Sequence, residues 1–210
     1  MRPRREGARA DHRSVGWRVN TLGAAVLVAA AGLSLGLWTT QAALTGRLPI
    51  AVDRLGGWTV EARAGAADAD PYTRARVERD GEIPLALGEG LRLATRQDSE
   101  GRTLDPRCVY KVGSRAPPSR YWTLEAIDAA GFPIENAAQR YVLRSTEILR
   151  EPDGAFWIWV SADVHAGNWL PVAEGARFGL ALRLYDPALS GAAVGVEQTS
   201  APRVIRDRCR

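Results

Sequence analysis

Through residues 177–185, RFGLALRLY, apolar side chains fall on every second position, with Phe178, Leu180, Leu182 and Leu184 in phase. A period of two puts all four on one face of a half-buried strand. Residues 121–128 repeat the pattern: Trp122, Leu124 and Ala126 point one way, Tyr121, Thr123 and Glu125 the other. A turn at 128–131 follows, and the chain returns as a strand over 140–146. Shorter runs at 91–95, 108–112, 148–150, 156–161 and 203–209 predict further strands. Pro152-Asp153-Gly154 joins two of them as a hairpin signal. Many short strands separated by Gly/Pro turns predict a mainly β fold, an antiparallel β-sandwich or jelly-roll-like domain. Trp122 and Leu124 are expected to be buried against the face of Phe178, Leu180, Leu182 and Leu184.

Two stretches break the strand pattern. Residues 19–38, VNTLGAAVLVAAAGLSLGLW, hold no charged residue; as a helix they rise about 30 Å, the thickness of a hydrocarbon core. Asp70-Pro71-Tyr72 starts a short amphipathic helix, with Asp as cap and Pro in the first turn, and Gly81 ends it. Between them lies Gly- and Ala-rich chain without a sustained period, apart from a short strand at 58–60. The expected organisation is a tail at 1–18, a transmembrane helix at 19–40, a linker at 41–69 and a β-domain at 70–210.

Charge orients this arrangement. Hydrophobic residues make up 46% and charged ones 25%, the proportions of a folded rather than a disordered chain. Arginines at 2, 4, 5, 9, 13 and 18 against acids at 6 and 11 give the tail the whole net charge of +4. Residues 19–210 are therefore formally neutral, so the high pI does not describe the folded domain and is poor evidence for nucleic-acid binding; no nucleic-acid partner is expected. An arginine cluster beside an apolar span marks the cytoplasmic side. The expectation is a bacterial inner-membrane protein, N-terminus inside and C-terminal domain periplasmic, with the lipid bilayer as partner of the helix. A cleaved signal peptide is the competing reading, disfavoured because the apolar run exceeds the usual signal core of about 7–15 residues.

Cys108 and Cys209 both lie beyond the span. In an oxidising compartment an even pair is a disulfide candidate, and two separate buried thiols are the alternative. Their spacing excludes a zinc ribbon or a C-x-x-C redox motif. Gly32-Leu33-Ser34-Leu35-Gly36 matches the G-x-S-x-G string of serine hydrolases, but inside the apolar helix it has no strand-to-helix elbow. His165 with Asp163 could ligate a metal from one strand face; a loop histidine in solvent is the simpler reading. Asp128, Glu135, Asp153 and Asp163 could supply paired carboxylates, yet most sit where turns favour Asp for backbone reasons. No catalytic residue, metal or cofactor is assigned. Trp157 and Trp159 share a face opposite Phe156, Ile158 and Val160, so they either pack in the core, the simpler reading, or line a groove. Tryptophan with Asn, Arg and Tyr is also a composition suited to sugar or small-ligand contact.

RYWTLEAIDAAGFPIEN, RYVL, DGAFWIWV, GNWLP and FGLALRLYDP, in that order, resemble the bacterial family of domain of unknown function 1214. The resemblance spans roughly 108–209, in the short, membrane-anchored proteobacterial form with an N-terminal helix, a D-P-Y segment and two cysteines. The chain departs from the family pattern at Ala126-Ile127 and at Ala137. The resemblance implies a β-sandwich or jelly-roll-like fold and an envelope location, and brings no reaction. Within the matched motifs, Asn168, Trp169, Arg183, Tyr185 and Arg140 are the ligand-binding candidates. Their structural alternatives are a turn cap for Asn168 and an ion pair for Arg183. The functional expectation is a ligand-binding or protein-interaction module of the cell envelope, with an envelope protein or glycan as partner. An envelope enzyme acting on glycans or lipids is the alternative.

Overall fold

The computed structural model describes residues 20–45, 53–60, 64–79, 81, 83–85, 89–114, 119–187 and 201–210. The chain divides into two units, residues 1–42 and 43–210. The basic tail at 1–18 lies outside the described residues.

Helix α1 (Thr21–Leu44) carries no charge over 24 residues and is long and apolar enough to cross a membrane. Its leucines and valines from Leu22 to Leu37 are uncovered, whereas a helix apolar all round is ordinarily buried in a core or spans a membrane. Gly32 and Gly36 lie within it, so the serine-hydrolase string is helical throughout.

The second unit is built from strands β1 (Asp53–Leu55), β2 (Trp58–Val60), β3 (Gly90–Thr95), β4 (Cys108–Ser114) and β5 (Ser119–Ile127). After them come β6 (Val142–Arg144), β7 (Phe156–Ser161), β8 (Trp169–Pro171), β9 (Gly179–Pro187) and β10 (Arg203–Cys209). One sheet has the order β1-β2-β3-β9-β5-β6, the other β10-β4-β7-β8. Helix α2 (Pro71–Arg79) precedes β3. The Asp70 carboxylate accepts the Tyr72 and Thr73 amides at 3.0 and 3.1 Å, and Gly81, at φ 64°, ends the helical segment.

Inner faces of both sheets supply one apolar core. Leu93, Leu124, Leu180, Leu182 and Leu184 meet Tyr110, Phe156, Ile158 and Leu170, all essentially without solvent contact. Each such aliphatic burial stabilises by roughly 1.5–3 kcal/mol. Trp122 of β5 stacks on Phe156 of β7 at 5.0 Å, and Tyr110 of β4 meets Phe178 edge-on at 6.0 Å. These pairs join the two layers as a sandwich.

Several sequence expectations need correction. Trp122 and Leu124 are buried, but Leu184 and Leu182 are their neighbours within the same sheet, not across it. Both strands are one-sided, so the two apolar rows share an inner face. The return strand expected over 140–146 contracts to Val142–Arg144. Residues 148–150 form no strand, although the turn at Gly154 closes, because the Leu149 backbone is bonded by a side chain, that of Asn168. Within the segment read as linker, β1 and β2 form a hairpin that extends the larger sheet. Pairing is antiparallel throughout except between β7 and β8, which run parallel.

Strand β10 closes the smaller sheet against β4, with Cys209 opposite Cys108 and the two joined as a disulfide across 101 residues. The loop before β4 holds it in place. Ser99 N–H donates to the Val204 carbonyl at 2.8 Å, and Val204 N–H donates to the Ser99 hydroxyl at 2.9 Å. Beside them Asp98 is 1% exposed. It accepts the Glu100 and Arg102 amides and the Arg102 Nε–H at 2.8–3.0 Å, with the Arg206 Nε at 3.4 Å.

Candidate functional site

A concave site of about 640 Å³ opens beside β8, walled by the 135–141 loop, the chain after β8 and Arg210. The 135–141 wall is folded by one side chain. Asn136 accepts the Arg140 N–H at 3.1 Å and donates to the Arg140 carbonyl at 2.9 Å, closing a turn in which Gln139 takes φ 51°. Arg140 then donates from Nη1 to the Trp169 carbonyl at 3.1 Å, fastening the wall to β8. Trp169 lies on the outward side of the smaller sheet, beside Trp159 in the parallel register. Its indole N–H donates to the Ser161 carbonyl at 3.2 Å, which fixes the ring.

Polar groups complete the cleft. Glu135, Asp163 and Glu174 line it together with Arg210, whose guanidinium spans two of the carboxylates. Its Nη2 is bonded to Asp163, and its Nη1 lies 3.3 Å from Glu174. Arg210 N–H donates to the Arg107 carbonyl at 3.1 Å, one residue beyond the disulfide. A narrower recess of about 50 Å³ continues under Arg210 toward Cys108. Near it, the Arg107 guanidinium holds the Asp105 carboxyl down at about 2.

Of the five ligand-binding candidates, the structure brings Arg140, Asn168 and Trp169 together at this end. Trp169 lines the cleft, and Arg140 braces it. Asn168 lies behind them, 9% exposed. Its carboxamide accepts the Leu149 N–H at 2.8 Å and donates to the Leu149 and Trp157 carbonyls at 2.8 and 3.0 Å. Arg183 and Tyr185 lie elsewhere, on the outer face of the larger sheet. There Arg183 pairs with the buried Glu125, and Tyr185 packs on Tyr121 with ring centroids 5.5 Å apart.

The other singled-out residues divide similarly. Asp128 accepts the Ala130 and Phe132 amides at 2.8 and 3.0 Å, and so closes its own turn. Asp153 does the same for Ala155 N–H at 3.0 Å. His165 stacks on Trp159 at 4.6 Å, away from solvent on one ring face, while Asp163 turns to Arg210. Among the described residues, no group of three or more His, Cys, Asp or Glu is arranged to hold a metal. Trp157 and Trp159 point outward rather than into the core, which corrects the core reading. Trp157 is 37% exposed, and Trp159 is covered by His165 and by the Lys111 ammonium 4.4 Å from its ring. Tyr141, Asn136, Glu174 and Arg210 were not singled out for ligand binding from the sequence. Only their convergence in space marks them, since they are drawn from loops up to 74 positions apart.

Residues 89–189 match the model of a family described as a protein of unknown function, DUF1214. The match begins at β3, earlier than the motifs at 108–209 indicate, and ends before β10. No curated protein matches the chain. Among solved structures it is similar to the VPA0106 protein from Vibrio parahaemolyticus, at 22% identity and a TM-score of 0.53 over 70% of this chain and 37% of that one. It is also similar to an uncharacterized protein from Burkholderia cenocepacia, at 18% identity and a TM-score of 0.43 over 85% of this chain and 51% of that one. The chain thus spans well under two thirds of either protein. The Vibrio likeness shows the fold alone.

Proposed function

The chain carries a domain of the DUF1214 family across residues 89–189, and from that premise we propose a single-pass inner-membrane protein whose periplasmic β-sandwich is a ligand-binding module of the cell envelope. One observation carries the ligand-binding reading: the cleft of about 640 Å³ at which Trp169, Tyr141, Asn136 and three carboxylates converge. A rigid indole with a few placed polar groups is the composition of a small-ligand site. The six arginines before an uncharged 24-residue helix support the membrane orientation. The disulfide supports an oxidising compartment.

Two measurements test this. A reporter active only in the periplasm, fused after Arg210, should be active; a well-expressed but silent fusion overturns the orientation. Full-length protein in detergent, screened by thermal shift against envelope saccharides and peptides, should be stabilised by at least one ligand, and Trp169→Ala should abolish that stabilisation. Stabilisation that survives Trp169→Ala moves ligand binding away from this cleft.

A further inference from the structure

We infer that the cleft recognises its ligand through a cationic nitrogen, an ammonium or guanidinium group that displaces Arg210 from Asp163 and Glu174; this rests on the ligand-binding reading above. Charge is the first reason. The cleft lining carries three carboxylates against the guanidinium of Arg210, and even with the Arg140 guanidinium bonded behind Trp169 the carboxylates are in excess. An anion entering such a cleft meets surplus negative charge, whereas a cation is drawn to it.

The state of Arg210 is the second reason. It already shows how a forked cation sits between the two carboxylates. Its side chain is 59% exposed, so little packing retains it there. The backbone is anchored separately, through the Arg107 carbonyl and the neighbouring disulfide. The guanidinium can therefore swing out while β10 stays paired. Two carboxylates left sharing one site repel each other, and a ligand cation relieves that repulsion.

The third reason is aromatic. Trp169 and Tyr141 line the same cleft, and an indole face attracts cations more strongly than any other side-chain ring. One strand over, the chain makes this pairing itself, with Lys111 above Trp159. Carboxylates and an indole lining one cleft select a nitrogen cation carried on an otherwise uncharged body. An amino sugar and a lysine-bearing peptide both present that chemistry.

The test uses the full-length protein in detergent and three probes in calorimetric titration: a glucosamine tetrasaccharide, its fully N-acetylated counterpart, and tri-lysine. The expected result is binding of at least one amine probe, and which one binds identifies the source. Glu174→Gln should weaken that binding about two- to fivefold, the worth of one contact to a carboxylate that is 81% exposed. Added salt should weaken it further. Arg210→Ala should tighten it several-fold, because nothing then has to be displaced, and a merely structural Arg210 would not give that sign. Equal, Trp169-dependent binding of the N-acetylated probe would overturn the cationic reading and leave the ligand-binding module standing. Weaker binding by Arg210→Ala also overturns it, and so does failure of both amine probes. If the thermal-shift screen is also empty, the module reading falls with it.

Discussion

Asp98 is a carboxylate at 1% exposure, and the fold keeps it ionised. Burial, the largest influence, pushes its pKa up. The amides of Arg102 and Glu100 and the Arg102 guanidinium together outweigh burial and hold the value below the ordinary 3.8. A carboxyl depressed in the folded state stabilises the fold above its unfolded pKa, and that stability disappears as pH falls through the folded value. Urea midpoints of the native protein should therefore fall below about pH 4, and Asp98→Asn should flatten that decline. An unchanged acid slope in the variant would remove Asp98 from the account. Asp98→Ala should destabilise by about 3 kcal/mol, the low end of the range for breaking a buried pair, since Arg102 is half-exposed. None of this is visible in DSEGRTLDP (98–106), whose residues favour turns. Its burial is created by β10, about a hundred residues later. Asn168 was harder to read for the same reason: its amide serves the backbone of Leu149, 19 positions away.

Strands were legible where one side of the chain is apolar. Phe178 to Leu184 at period two gave β9, and the Trp122, Leu124, Ala126 row gave the inner face of β5. Tyr141 looked like a further strand position, yet it turns into the cleft because the Asn136 amide has already bent the chain there. Trp157 and Trp159 were ambiguous because alternation cannot say which of two apolar faces is inside. The Trp122 prediction belongs to this scale. Its indole is 3% exposed and stacks across the sandwich on Phe156. Trp122→Ala should therefore cost about 3–5 kcal/mol in chemical denaturation. A loss below about 0.5 kcal/mol, the range of surface substitutions, would mean that the layers do not depend on this stack.

At the level of the whole molecule, the mainly β class and most of the strands were legible, whereas β1, β8 and the cleft were not. Its walls come from the β5–β6 connection, the chain around β8 and the residue after β10, brought together only when two sheets close on one core. The Cys108–Cys209 bond fastens that closure, making 101 positions of sequence separation into a ring. Reduction, or Cys209→Ser, should lower stability by roughly 4.7 kcal/mol by the loop-entropy relation. The ring has a mechanical consequence too. Tension applied upstream of β1 and at Arg210 runs through the sulfur bridge and bypasses everything between the cysteines. Under load the oxidised domain can pay out only β1, β2, α2, β3 and their connections, while the chain between the two cysteines cannot be extended. In a single-molecule stretch, reducing the bond should release roughly 350 Å of additional contour, about 3.5 Å for each of the 101 positions. The disulfide thus acts as a shackle that decides which part of the chain can be drawn out at all.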